Sequence, residues 1–282
     1  QSLARRKQQS GANHISVATS LNQLALLYTK QGRYQEAEPL QLQSFNIYQQ
    51  RLGPTHPAVA TSLNNLADLY SKEGRYTEAE SLLKRSLTIY RQKFGPDHLN
   101  VAYSLNNLAE VYLKQGRYKE AEASHLQSLK IKKQKLGQVH ESVATSLNNL
   151  AEVYSGQKRY AEAEPLFKQA LAMRQKLLGP EHPSVATSLN NLAELYGQQG
   201  KYAEAKPLFE QALAMRKKLL GPEHPALVIS LSNLAALYGN QGNIKEAKAL
   251  YVEAIAISKV KLGPDHPTTQ VIERRLSLLK KQ

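Results

Sequence analysis

Along residues 57–95 the apolar positions run in two phases, separated by one break. Leu63, Leu66, Ala67 and Tyr70 fall at i, i+3, i+4 and i+7, which is one face of an α-helix. Pro57 precedes them at a first-turn position, where its missing N–H costs nothing. Gly74 interrupts the phase, since glycine readily takes the left-handed conformation that caps a helix. A second amphipathic run follows with Tyr76, Ala79, Leu82, Leu83, Leu87 and Tyr90, and Gly95-Pro96 ends it. The predicted unit is helix A, a tight turn, helix B and a short Gly-Pro loop. Opposite the apolar face of helix A stand Thr61, Asn65, Asp68 and Lys72.

This unit recurs along the whole chain. Gly11, Gly53, Gly95, Gly137, Gly179, Gly221 and Gly263 are each 42 residues apart, and a histidine stands three residues after each, from His14 to His266. A tyrosine ladder, Tyr28, Tyr70, Tyr112, Tyr154, Tyr196 and Tyr238, keeps the same step. A second runs Tyr34, Tyr76, Tyr118, Tyr160 and Tyr202, with Ile244 sixth. Small alanines such as Ala67 and Ala79 recur where the two helices must approach closely. The period predicts six hairpins within 15–262, at 15–52, 57–94, 99–136, 141–178, 183–220 and 225–262. Residues 1–10 read as the end of a preceding helix B. Residues 267–282 read as a capping helix, made polar by Arg274, Arg275, Lys280 and Lys281. The chain opens on Gln1, and a longer protein is expected.

The pattern Leu63-x-x-Leu66-Ala67-x-x-Tyr70, then Gly74, Tyr76 and Ala79, resembles the tetratricopeptide repeat (TPR). Ala163-x-x-x-Phe167-x-x-Ala170 and Ala205-x-x-x-Phe209-x-x-Ala212 are similar to its helix B. The common repeat has about 34 residues. The longer unit here, with the stretch from Leu178-Gly179-Pro180-Glu181-His182-Pro183 to Asn190-Asn191-Leu192-Ala193, resembles the kinesin-light-chain type, of which many bacterial examples exist. The resemblance implies an all-α fold: a right-handed superhelical TPR solenoid of stacked antiparallel helix hairpins. It also implies a protein-interaction scaffold, with helix A lining the concave surface. It does not imply cargo transport, because no heptad coiled coil accompanies it.

On that implied inner face the candidate groove residues are Thr61, Asn65, Asp68 and Lys72, then Tyr103, Asn107, Glu110 and Lys114. Asn149 and Glu152, Asn191 and Glu194, and Asn233 continue the columns. Asparagine is a poor interior-helix residue. Its amide both donates and accepts, so a column of five can clamp an extended peptide backbone, as the resemblance implies. The alternative is a ladder that bonds the neighbouring helix and holds the repeats in register. A second column one residue earlier, Asn22, Asn64, Asn106, Asn148 and Asn190, lies nearer the seam between repeats and favours that structural reading. The acidic column makes the groove suited to basic or amide-rich partners, a departure from the basic groove of kinesin light chains; the alternative is a solvated helix face on which Asp68–Lys72 and Glu110–Lys114 form ordinary i,i+4 pairs. Sequence differences at Tyr103, Leu113 and Gly156 are where binding specificity is expected.

Composition narrows the rest. There is no cysteine, hence no disulfide and no thiolate metal site. No apolar run reaches the ~20 residues of a membrane helix, and a cytoplasmic location is expected. The net charge of +14 gathers late in the B helices, at Arg91 and Lys93, Lys132, Lys133 and Lys135, Arg174 and Lys176, Arg216, Lys217 and Lys218, and Lys259 and Lys261. There it complements the helix dipole. It is also expected to form an outer basic ridge, and nucleic acid or an anionic surface is the alternative partner. A passive spacer role is a third reading. The seven ladder histidines are too far apart to share an ion and are expected to bond free N–H groups at the start of helix A. His125, off the ladder, reads as a surface histidine. No unique catalytic constellation stands out from the repeats, so neither enzyme activity nor a cofactor is expected.

Overall fold

The structure, a computed structural model, describes residues 8–9 and 11–279. The expected end of a preceding helix over residues 1–10 therefore lies, apart from Gln8 and Gln9, outside the described residues. So do Lys280 and Lys281 of the expected cap.

Every described element from residue 11 onward is an α-helix. The A helices are α1 (Ile15–Lys30), α3 (Pro57–Lys72), α5 (Leu99–Lys114), α7 (Glu141–Gly156), α9 (Pro183–Gln198) and α11 (Ala226–Asn240). Each is followed by its B helix: α2 (Tyr34–Leu52), α4 (Tyr76–Phe94), α6 (Tyr118–Leu136), α8 (Tyr160–Leu178), α10 (Tyr202–Leu220) and α12 (Ile244–Lys261). Helix α13 (Pro267–Leu279) follows.

Local chemistry sets these boundaries. At the start of each A helix the ladder histidine accepts a hydrogen bond at Nδ1 from the backbone N–H two residues on. Ser16 N–H donates to His14 at 3.2 Å, Ala58 to His56 at 3.1 Å and Asn100 to His98 at 3.1 Å. His140, His182, His224 and His266 do the same. Each satisfies one of the N–H groups that a helix start leaves without a partner. The turn between A and B is a second built unit. The Arg75 guanidinium lies 3.6 Å from the Tyr70 ring centroid, bonds Glu78 at 2.7 Å and reaches Glu38 of the preceding hairpin at 2.9 Å. Arg117 repeats this with Tyr112, Glu120 and Glu80.

One turn breaks the pattern. Lys158 stands where Gly32, Gly74, Gly116, Gly200 and Gly242 stand, and it holds the same left-handed backbone at φ +59. A side chain there costs about 1–2 kcal/mol. Lys158→Gly is expected to raise stability by about 1 kcal/mol in denaturant unfolding. An unchanged or lowered midpoint would show that the turn carries no such strain.

The helices group into two compact units, residues 1–138 and 139–282. The first holds three hairpins, α1 to α6. The second holds three, α7 to α12, and α13. Within each unit a helix packs on its hairpin partner, and each B helix packs on the next A helix. Fully buried alanines, Ala67 and Ala79 among them, lie where the helices meet. In the first unit Ser44, Ser86 and Ser128 on the B helices donate to the carbonyls of Ala18, Ala60 and Ala102. Successive A helices also meet directly, α1 with α3 and α3 with α5, then α7 with α9 and α9 with α11, whereas among the described residues no successive B helices within a unit approach as closely. Each unit is therefore narrower on its helix-A side.

Candidate functional site

The asparagines of successive A helices touch. Asn65 Nδ2 donates to Asn22 Oδ1 at 2.8 Å in the first unit. In the second, Asn191 Nδ2 donates to Asn148 Oδ1 and to Glu152 Oε1, both at 3.0 Å. Asn148 itself donates to Glu152 at 2.7 Å, and Asn233 lies 3.5 Å from Glu194. At these two seams the later asparagine of one repeat thus bonds the earlier one of the repeat before, whereas Asn64 donates to Ser104 and the Oδ1 atoms of Asn64 and Asn190 have no partner. The seam bonding is the geometry that the register alternative requires. It also lines the amides up along the narrow side, where Asn107 is exposed and Asn65, Asn149, Asn191 and Asn233 are half-buried.

The acidic column meets the asparagines in cavities between A helices. In the first unit Asp68, Asn107 and Glu110 border a cavity of about 70 Å³ together with Ser71 and Leu83. In the second, Glu194 and Asn233 border the corresponding cavity, of about 210 Å³, over a floor of Phe209 and Leu237. Glu110 keeps 38% of its side-chain surface open, yet desolvation by the surrounding protein pushes its carboxyl above the usual range. Desolvation raises Glu194 likewise, and Arg275 partly offsets it. Asp68 is exposed and pairs with Lys72 at 2.7 Å; Lys114 is exposed one repeat on. The Thr61 hydroxyl is occupied, within 2.8 Å of the Tyr90 hydroxyl and donating to the Pro57 carbonyl. Tyr103, in the same register, is 45% exposed, and the Lys132 ammonium lies 5.2 Å from its ring centroid.

Two expectations are corrected. His125 is not a surface residue: it is fully buried, neither ring nitrogen has a hydrogen-bond partner, and Glu110 Oε1 is 4.0 Å away. It occupies the core position of helix B held by Leu83 and Phe167 elsewhere. The basic ridge is also interrupted. Lys132, Arg174 and Arg216 are buried. Arg174 bonds Glu141, Thr145 and Ser188, and Arg216 bonds Thr187 and Ser230, so these cations tie B helices to A helices. On the second unit's surface Lys217, Lys218, Lys259 and Lys261 each pair with a carboxylate. Among the described residues no cluster of histidines and carboxylates could hold a metal ion, and no helix is long and apolar enough to cross a membrane.

Sequence reasoning missed Gly197, Phe209, Leu237 and Arg275 as cavity residues. One signal was available: Arg275 stands 42 residues after Asn233, in the next place of the asparagine column.

The profile of the tetratricopeptide repeat family matches residues 1–50, 16–92, 59–134, 142–218 and 198–259. No curated protein matches the chain. Among solved structures, the kinesin light chain nearly identical TPR-like repeats of Podosopora anserina are 32% identical, with a TM-score of 0.60 over 73% of this chain and 98% of that one. BtubC (BKLC) from P. vanneervenii is 26% identical, with a TM-score of 0.61 over 87% and 92%. A Rap protein complexed with Competence and Sporulation Factor shares the fold at 15% identity, with a TM-score of 0.63 over 91% and 72%. Repeat by repeat, in its capped A helices, close alanines and 42-residue spacing, the chain belongs to the tetratricopeptide repeat family, in the form found in kinesin-light-chain-like proteins.

Proposed function

We propose that the helix-A side of this solenoid holds an extended segment of a partner protein. Tetratricopeptide repeats are in general protein-interaction scaffolds, and Rap, which shares the fold, is complexed with Competence and Sporulation Factor. The observation that carries the reading here is the convergence of Asp68, Asn107 and Glu110, and of Glu194 and Asn233, around cavities between successive A helices. Amides that already bond each other keep part of their surface open, and an amide has further donor and acceptor capacity for a peptide backbone. Desolvated carboxylates beside them favour a basic or amide-rich segment, because a partner cation restores the interaction that water no longer supplies.

The test is quantitative capture from a cell lysate with Asn107→Ala, Asn149→Ala and Asn191→Ala combined. The variant is expected to retain its helical circular dichroism and to lose about tenfold or more of the partner bound by the unaltered chain. Full retention of every partner by a folded variant would falsify the reading. Loss on Lys133→Glu and Lys176→Glu instead, with steep dependence on salt, would transfer the function to the outer basic side.

A further inference from the structure

The chemistry of the A-helix face changes at the end of the second unit. One column reads Thr145, Thr187, Ile229 and Val271, and the acidic column reads Glu152, Glu194, Ala236 and Leu278. Ile229 is 55% exposed, Val271 51% and Leu278 56%. In the asparagine column Asn191 and Asn233 are followed by Arg275. Apolar side chains thus replace hydroxyls and carboxylates over two steps of the array, while a cation replaces an amide.

Ile229, Ala236, Val271 and Arg275 border one groove. Its first cavity, about 210 Å³, lies between α9 and α11, with Phe209 and Leu237 beneath and Glu194 and Arg275 on its walls. A second, about 320 Å³, lies between α11 and α13 and is lined by Ile229, Val271 and Ile272. It shares Asn233 and Arg275 with the first. The corresponding cavity of the first unit is only about 70 Å³. There Ser71 stands in the place of Gly197, and the sequence has Asn149 in the place of Arg275. Among the described residues neither Glu194 nor Arg275 makes an ion pair: Glu194 meets the Asn233 amide and Arg275 donates to Ser232. The groove therefore presents one anion and one cation that offset each other only partly and make no direct ion pair, with exposed aliphatic surface around them.

We infer that this groove binds an extended partner segment in which a basic residue, a bulky apolar residue and a carboxylate follow one another. The basic side chain meets Glu194, the apolar side chain fills the space left open at Gly197, and the carboxylate, from a side chain or the partner's C-terminus, meets Arg275. Charge complementarity selects this occupant over a plain hydrophobic one, because covering Glu194 and Arg275 without counter-charges leaves both desolvated and unpaired. The apolar residue supplies the affinity, since buried anchors in a pocket dominate such interfaces. The inference rests on the proposed helix-A binding face and gives its second unit a specificity.

The probe is a random peptide library selected on the full chain. Enriched peptides are then titrated by fluorescence anisotropy against the unaltered chain, Gly197→Leu and Arg275→Glu. Leucine already occupies the position of Gly197 at Leu113, and an added Cβ meets only Leu237 Cδ1 at 3.9 Å, so the variant folds with the cavity filled. Arg275 is exposed, so its reversal spares the core. The enriched peptides are expected to share the basic–apolar–acidic order and to bind both variants about tenfold or more weakly. A peptide whose acid is changed to lysine should bind Arg275→Glu better than the unaltered chain. Failure to enrich any peptide, or equal binding to both variants, overturns the inference. Peptides insensitive to these two variants but weakened by Asn65→Ala with Asn107→Ala would leave the general binding face intact and remove only this site. Concentration-dependent dimerisation abolished by Gly197→Leu would assign the groove to a second copy and overturn it as well.

Discussion

Phe167→Ala is expected to lower the unfolding free energy by about 3–5 kcal/mol, the usual cost of deleting a buried aromatic ring. Phe167 is 2% exposed and packs among Ala151, Ala163, Leu192 and Leu195, with Tyr154, Tyr196 and Leu208 around them. The neighbours are held on α7, α8, α9 and α10, so the space left by the ring cannot be refilled by one side-chain rotation. A solenoid's stability is close to a sum of repeat terms and nearest-neighbour terms. The ring contributes to both, within its own hairpin and against the next. Besides a lower midpoint, the denaturant transition should therefore broaden or split, with amides of α7–α10 losing protection from hydrogen exchange first. A loss below about 1 kcal/mol, typical of surface substitutions, would contradict this account of the core.

Replacing His125 with leucine, as at Leu83 of the preceding repeat, should stabilise the protein by about 1–3 kcal/mol at neutral pH, the usual penalty of a buried polar group without a partner. It should also change the dependence on acid. Burial, with Lys132 adding to it, pushes the His125 imidazole down to about 4. In the unfolded chain it returns to about 6.5. Between those values the unfolded state binds the extra proton, so stability falls as pH drops from about 6.5 to about 4. The depressed imidazole accounts for about 3 kcal/mol of that loss. The histidine-to-leucine variant should lack this part of the acid slope. Glu110 on α5, at 4.0 Å, is the carboxylate facing the ring, and Lys132 on α6 is the cation. An unchanged slope in denaturant unfolding at a series of pH values would show that His125 does not titrate with unfolding. Gln41, two repeats earlier in the same column, is likewise fully buried with both amide atoms unpartnered.

Much of the fold was legible because its causes are local. Apolar spacing, the glycine at each turn and the histidine at each helix start act within one turn of chain, and they place the helices wherever the period repeats. Lys158 was less legible: a left-handed lysine has no distinctive sequence signal, and only its place in the glycine ladder points to it. The candidate site was legible as columns and not as a site. Asn65, Asn107 and Asn191 could be named, but whether each amide faces a peptide or a neighbouring amide depends on how one hairpin sits on the next. Their bonds to residues about one repeat away, Asn65 to Asn22 and Asn191 to Asn148, express that packing. Lys132, Arg174 and Arg216 were misplaced for the same reason. On the helical wheel they belong to a basic stripe, yet they lie at the seam between a B helix and A helices, where Arg174 and Arg216 find hydroxyls and Lys132 an aromatic ring.

By itself the amino-acid sequence determined the repeat, the helix boundaries and the alternation of A and B, since these follow from periodicity and capping within some forty residues. Only the tertiary structure decided which charges are buried, which amides bond across the seam, and that Gly197, Glu194 and Arg275 border one groove. Those outcomes depend on the angle and distance at which successive hairpins pack, and packing is settled jointly by side chains a full repeat apart.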